Sequence, residues 1–180
     1  DDGREIQNQH DGDQQQRRRP DQGLGGFGVR ALESEVKQAL FSWQQALGKH
    51  LTIQLEDTEE FYPFSDLNQH CLYVVDRFLM DPRQDRLLFG QTSFTAQLKR
   101  GLLVDSDIFL FEEEFSKLKK WKQENLRPQR IKKTIIHELG HWLGLHHVPP
   151  GTISVMSYDP MTTELQAYDQ EAVRALYSEE

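Results

Sequence analysis

The 180-residue chain has one cysteine, Cys71, so no disulfide can close within it and cysteine usage leaves its redox compartment open. It also lacks any run of 18 apolar residues, the length that reads as a helix crossing a bilayer, so no membrane span is expected. Positive charge is scarce. The 21 Lys and Arg stand against 29 Asp and Glu, a formal net charge of −8, and a phosphate backbone needs a basic surface, so nucleic acid is excluded as the expected partner. No signal-peptide pattern opens the chain, and a start at Asp1 reads as a mature or trimmed form.

Apolar residues are nearly missing from residues 1–30, which carry Gln14-Gln15-Gln16-Arg17-Arg18-Arg19-Pro20 and five glycines between Gly12 and Gly28. Such a segment cannot bury enough surface to offset its ordering entropy. It reads as a flexible N-terminal extension, or as a prosegment remnant whose Asp11, Asp13 or Asp21 would cap a metal. The remaining length suits one domain, or one domain split by a cleft. We expect a sheet-and-helix part over 31–144 and a smaller part over 145–180.

Periodicity places Ala31–Leu47 on an amphipathic helix, with Val36, Leu40, Trp43 and Leu47 recurring at three and four and Gly48 ending it. His50–Glu56 alternates as a half-buried strand. Cys71–Phe78 is apolar and β-branched enough for a more central strand, within which Cys71 reads as a buried, inert thiol. After a loop over 79–87, Leu87–Phe94 reads as an edge strand and Leu102–Phe111 as its returning neighbour. Glu112–Asn125 has Phe115, Leu118 and Trp121 at helical spacing. Arg127-Pro128 then breaks the pattern, and the next helix starts near Gln129–Lys133. The expected fold class is α+β.

What the chain does have is His137-Glu138-Leu139-Gly140-His141-Trp142-Leu143-Gly144-Leu145-His146-His147, the pattern H-E-x-x-H-x-x-G-x-x-H. Histidines four apart on a helix lie one above the other, so His137 and His141 can aim imidazole nitrogens at one ion about 2.0–2.1 Å away. Gly144 permits a sharp exit from the helix, and the chain brings His147 round as a third ligand. Three protein ligands leave a fourth zinc position open, the mark of a catalytic site. Glu138, next to a ligand, is placed to take the proton of a zinc-activated water as it attacks a carbonyl, and to pass it to a leaving amine. His146 falls outside the ligand spacing, and His10, His50 and His70 read as isolated surface or strand-end residues.

With the downstream turn Ser154-Val155-Met156-Ser157-Tyr158, this motif resembles the metzincin zinc metallopeptidases. The resemblance implies that Met156 forms an apolar floor under the histidines. Tyr158 matches the tyrosine that astacins and serralysins place near the zinc, where it binds the metal at rest and swings out to stabilise the transition state. Matrixins usually have Tyr directly after the Met, where this chain has Ser157, and Val148 after the third histidine matches none of the named subfamilies. The order of segments over residues 33–177 is nonetheless similar to the bacterial matrixin-like group, including Glu33–Leu47, Leu88–Phe94, Leu103–Leu110 and a closing helix over Thr163–Tyr177 whose Asp169 would tie it to the Met turn.

That likeness implies a twisted mixed sheet, a zinc helix above a cleft, and a small irregular C-terminal part ending in a helix. It implies a zinc endopeptidase, secreted or periplasmic, whose peptide or protein substrate lies extended along the edge strand, with a specificity pocket between the zinc helix and the segment after Met156. A catalytically inactive protein-binding module of the same fold is the second reading. Asp105 and Asp107 in a strand pattern read as a solvated face, and relatives that bind calcium through loop carboxylates add calcium as the other reading. The His and Asp set that holds a second zinc in animal matrixins is not evident between residues 80 and 111.

Overall fold

The structure is a computed structural model, and it describes residues 29–49, 52–53, 70–75, 88–97, 102–120, 126–158, 160 and 162–178. The flexible extension or prosegment expected over 1–30, with Asp11, Asp13 and Asp21, lies almost wholly outside the described residues, as do His10, His50 and Trp121. Seven elements are described: α1 (Val29–Leu47), β1 (Leu72–Val75), β2 (Gly90–Gln97), β3 (Leu102–Phe111), α2 (Glu112–Lys120), α3 (Arg127–Trp142) and α4 (Ala167–Tyr177). None of these helices is long and apolar enough to cross a membrane.

Helix α1 buries the stripe Leu32, Val36, Ala39, Trp43 and Leu47, as its spacing requires. Gly48, at φ 61, terminates it in the left-handed region. Trp43 anchors α1 to α3, since its indole Nε1–H donates to the Ile136 carbonyl at 3.0 Å. Helix α3 answers with Ile131, Ile135, Ile136, Leu139 and Leu143, all in the main apolar cluster. Val148, Val155, Met156 and Val173 belong to that same cluster, so the chain after α3 folds back onto it. Arg174 Nε donates to the Ala46 carbonyl at 2.8 Å, which fastens α4 against the end of α1.

The three described strands run in the order β1-β3-β2, with β1 parallel and β2 antiparallel to β3. Among them β3 is central and β1 lies at one edge, whereas apolar content suggested a more central strand over Cys71–Phe78; residues 76–78 lie outside the described residues. The reason is visible in burial: residues 105–111 are buried without interruption, covered on both faces. Ile108 and Leu110 face the helices, while Phe109 and Phe111 join Tyr73 and Val75 in a second cluster on the other face. Cys71 precedes β1 and is half-buried against that second cluster. Of the strand expected over 50–56, only Thr52 and Ile53 are described, and neither is in a strand. Ile53 instead packs on the main cluster, with its N–H donating to Gln44 Oε1 at 2.8 Å.

Two helix starts differ from expectation. Helix α3 begins at Arg127, so Pro128 opens the helix instead of breaking before it. A proline in the first turn loses nothing, because that N–H has no partner within the helix and the ring presets φ. Helix α4 begins at Ala167, later than Thr163, because Gln166 and Asp169 form a reciprocal cap that fixes the first turn there. Helix α2 is described to Lys120, and residues 121–125 lie outside the described residues.

Candidate metal centre

Helix α3 ends in a turn that its sequence dictates. Gly144 adopts φ 91, its N–H bonds to His141 O at 2.8 Å, and Leu145 N–H bonds to Gly140 O at 3.0 Å. This paired closure needs a residue without Cβ at the left-handed position. It reverses the chain and returns His147 to the face that carries His137 and His141. The three Nε2 atoms lie 3.1, 3.2 and 3.2 Å apart. Among the described residues, these three form the sole group of three or more His, Cys, Asp or Glu side chains whose ligand atoms converge.

Each helical imidazole is held from behind. His137 Nδ1 lies 2.6 Å from the Val155 carbonyl, and His141 Nδ1 lies 2.7 Å from the Leu145 carbonyl. A carbonyl only accepts, so each Nδ1 carries a proton, and a neutral ring then presents a lone pair at Nε2. Burial favours the neutral form. It pushes His141 down to about 4, helped by the neighbouring His137, and lowers His137 and His147 as well. Two lone pairs facing each other at 3.2 Å cannot hydrogen-bond; they need a shared electron-pair acceptor. Zinc–nitrogen bonds of about 2.0–2.1 Å in tetrahedral array place ligand nitrogens about 3.3 Å apart, so the observed spacing fits that ion.

Met156 is buried against helix α3 at Gly140, and the physical reason for that glycine appears with it. A Cβ on Gly140 would overlap the Met156 sulphur and come within 3.0 Å of Trp43 Cζ2. Glycine inside a helix costs about 1 kcal/mol against alanine, so its use here answers to close packing. The turn itself is fixed by Asp169, which is fully buried. Its carboxyl accepts from Val155 N–H at 3.1 Å, from Gln166 N–H at 2.8 Å, and from the Ser154 hydroxyl. Ser154 Oγ in turn accepts from Met156 N–H at 2.8 Å. The Val155 peptide therefore links Asp169, on its N–H side, to His137, on its carbonyl side.

Glu138 reaches toward β2. It is 6% exposed, and the Thr92 hydroxyl donates to its Oε2 at 2.7 Å. Burial raises its carboxyl to about 7, with the Thr92 bond pulling in the opposite direction. Gly90 makes room for it, since a Cβ there would come within 2.7 Å of Thr134 Cγ2 and 3.0 Å of Glu138 Cγ. Tyr158 is 77% exposed, with its ring stacked on His147 at 4.0 Å between centroids.

Residues 100–178, from before β3 through α4, match the family model for matrixins. That match supports a metzincin, matrixin-like family and zinc metalloprotease chemistry for the region that contains the three histidines. No curated protein and no solved structure matches the chain.

Other candidates fall elsewhere. His146 is exposed, outside the cluster, with its ring 6.2 Å from Phe94. His70 is exposed, yet it is tied to the fold: its Nδ1 accepts from Ser106 N–H at 3.0 Å. Asp105 and Asp107 do not form a solvated face, for they are 5% and 3% exposed, on the side of β3 opposite the helices. Asp107 Oδ1 accepts from Cys71 N–H at 3.1 Å, a bond that joins the approach to β1 to the centre of the sheet. Thr92, Gly90, Gly140 and Ser154 are the site residues that sequence reasoning missed. The two glycines carry a signal, being glycines inside a strand and inside a helix.

Proposed function

We propose that the protein is a zinc-dependent endopeptidase that hydrolyses peptide bonds of extended polypeptides. The observation that carries the reading is the convergence of three imidazole nitrogens at a helix that also carries the buried carboxylate Glu138, next in sequence to His137. His137, His141 and His147 would hold the ion. Zinc bound there acidifies a water molecule and polarises a carbonyl. Glu138 takes the proton from the attacking water and later delivers it to the leaving amine, and a carboxyl raised to about 7 is suited to both acts. Met156 supports the two helical ligands from below, and the Tyr158 phenol, placed over His147, donates to the carbonyl oxygen as charge develops on it.

Strand β2 supplies the substrate rail. Phe111 N–H bonds to Phe89 O, and bonding alternates along an antiparallel ladder, so the N–H and C=O groups of Gly90, Thr92 and Phe94 point away from β3. An extended peptide pairs with them by strand addition. The cleft lies between the part over 31–144 and the part over 145–180, and the Met-turn tyrosine sits within a bacterial matrixin-like scaffold. Secreted or periplasmic placement accompanies that likeness.

The test is hydrolysis of a quenched peptide library by zinc-loaded protein. We expect turnover that a zinc chelator abolishes and that Glu138→Ala lowers by at least about 100-fold with zinc content unchanged. A zinc-loaded protein without turnover would contradict the enzyme reading and favour a protein-binding module of the same fold.

A further inference from the structure

Glu138 has two carboxylate oxygens and, among the described residues, one side-chain hydrogen-bond partner, Thr92. Thr92 lies on β2, 46 positions earlier in the chain and outside the matrixin match, so nothing in the zinc motif accounts for it. Its hydroxyl sits 2.7 Å from Glu138 Oε2 and 3.0 Å from the carbonyl oxygen of the same residue. One hydroxyl proton serves one acceptor at a time, and an ionised carboxylate is the stronger of the two. The bond therefore fixes the carboxylate against the backbone of its own helix turn. On the other side, Gly90 leaves the space that the Glu138 Cγ and Oε1 occupy, at 3.0 and 3.3 Å from where a Cβ would stand. Gly90 and Thr92 are two apart on one strand, so both face α3. Together the Thr92 hydroxyl, the Thr92 backbone, which also hydrogen-bonds the carboxylate, and the gap at Gly90 form a cradle.

We propose that Thr92 is the positioning residue for Glu138, holding its carboxylate in the orientation from which it exchanges a proton with the attacking water. The inference rests on the zinc-peptidase reading above. A hydroxyl is the smallest group that can both donate to a carboxylate and, with its proton turned to the Glu138 carbonyl, accept from a protonated carboxyl. Threonine is also stiff at χ1, which keeps the oxygen in place. Because the Thr92 backbone groups point away from β3, the same residue that orients the base also forms part of the proposed substrate rail.

The experiment compares wild type, Thr92→Val and Thr92→Ser in the zinc-loaded full chain, by peptide hydrolysis and by crystal structure. Valine keeps shape and the backbone bond and removes the hydroxyl donor; serine keeps that hydroxyl. We expect Thr92→Val to lower kcat by about 10- to 100-fold, the usual cost of losing an outer partner, with KM and zinc content unchanged, and Thr92→Ser to restore most of it. The structures should show Glu138 in one orientation in wild type and Thr92→Ser, and displaced or spread in Thr92→Val. Equal kcat in all three proteins, or serine falling as far as valine, overturns the inference. Should wild type not cleave any peptide, the endopeptidase reading fails separately. The orientation of Glu138 in the three structures then decides the role of Thr92: unchanged in Thr92→Val, the inference falls; displaced there and restored in Thr92→Ser, it stands.

Discussion

The two sides of helix α3 are held by different chemistry. On the histidine side, His137 and His141 are oriented by the backbone carbonyls of Val155 and Leu145. On the β2 side, Glu138 is held by the hydroxyl of Thr92 together with the backbone of that residue, with space left by Gly90. A carbonyl cannot be deleted by substitution at its own position, so the ligand side yields only to changes that move the chain. A hydroxyl can be deleted by one substitution. Metal binding and base orientation should therefore be separable: one fails through the fold, the other through a local contact.

The largest effect should come from breaking the ligand side through the fold. Asp169→Ala leaves Val155 N–H, Gln166 N–H and the Ser154 hydroxyl without their acceptor in a fully buried place. Each loss of that kind costs about 1–3 kcal/mol, and neighbours share part of it, so unfolding free energy should drop by about 2–4 kcal/mol. Because Val155 also carries the carbonyl behind His137, zinc affinity should fall by about 10- to 100-fold as well. Denaturant titration and competition with a chromophoric chelator measure both. Unaltered zinc affinity in a destabilised Asp169→Ala protein would show that the turn does not orient the ligand.

A smaller, pH-dependent effect belongs to the other side. In metal-free protein the Glu138 carboxyl is raised by burial from 4.5 to about 7, equivalent to about 3 kcal/mol. A raised folded value means stability that is present below about 4.5 and lost as pH climbs through 7. His137 and His141 act in reverse: their lowered values give stability that is present above 6.5 and lost on acidification. Glu138→Gln leaves that histidine contribution in place. It should stabilise the metal-free protein at pH 8 by up to about 3 kcal/mol, and make little difference at pH 4. A gain of the same size at both pH values would show that the carboxyl is not held up by burial.

The same contrast separates what is legible in the sequence from what is not. His137, His141 and Gly144 lie within two turns of one helix and its exit, so their spacing brings the two helical rings together and marks the turn, and the stripe of α1 follows from period. The role of Asp169 was legible only through the family resemblance, which implied an acid on the closing helix tied to the Met turn, and the bond to Val155 N–H agrees with it. Thr92 was not, because its partner is 46 positions distant and a threonine in a strand has no signature beyond β propensity. The burial of Asp105 and Asp107 was hidden by their type: alternation told which face they share, but not that the face is covered. Pro128 misled in the opposite way, since a proline opens a helix as readily as it stops one, and only the phase of the turn that follows distinguishes them.

The central claim is that three histidines gather one zinc ion whose remaining position faces Glu138. X-ray absorption at the zinc edge, on protein purified with one equivalent of zinc, tests it most directly. The account predicts one bound zinc with three imidazole nitrogens at about 2.0–2.1 Å, plus a light oxygen donor, and loss of the bound metal in His141→Ala. A zinc ion with fewer than three imidazoles, or one retained unchanged in His141→Ala, would contradict it.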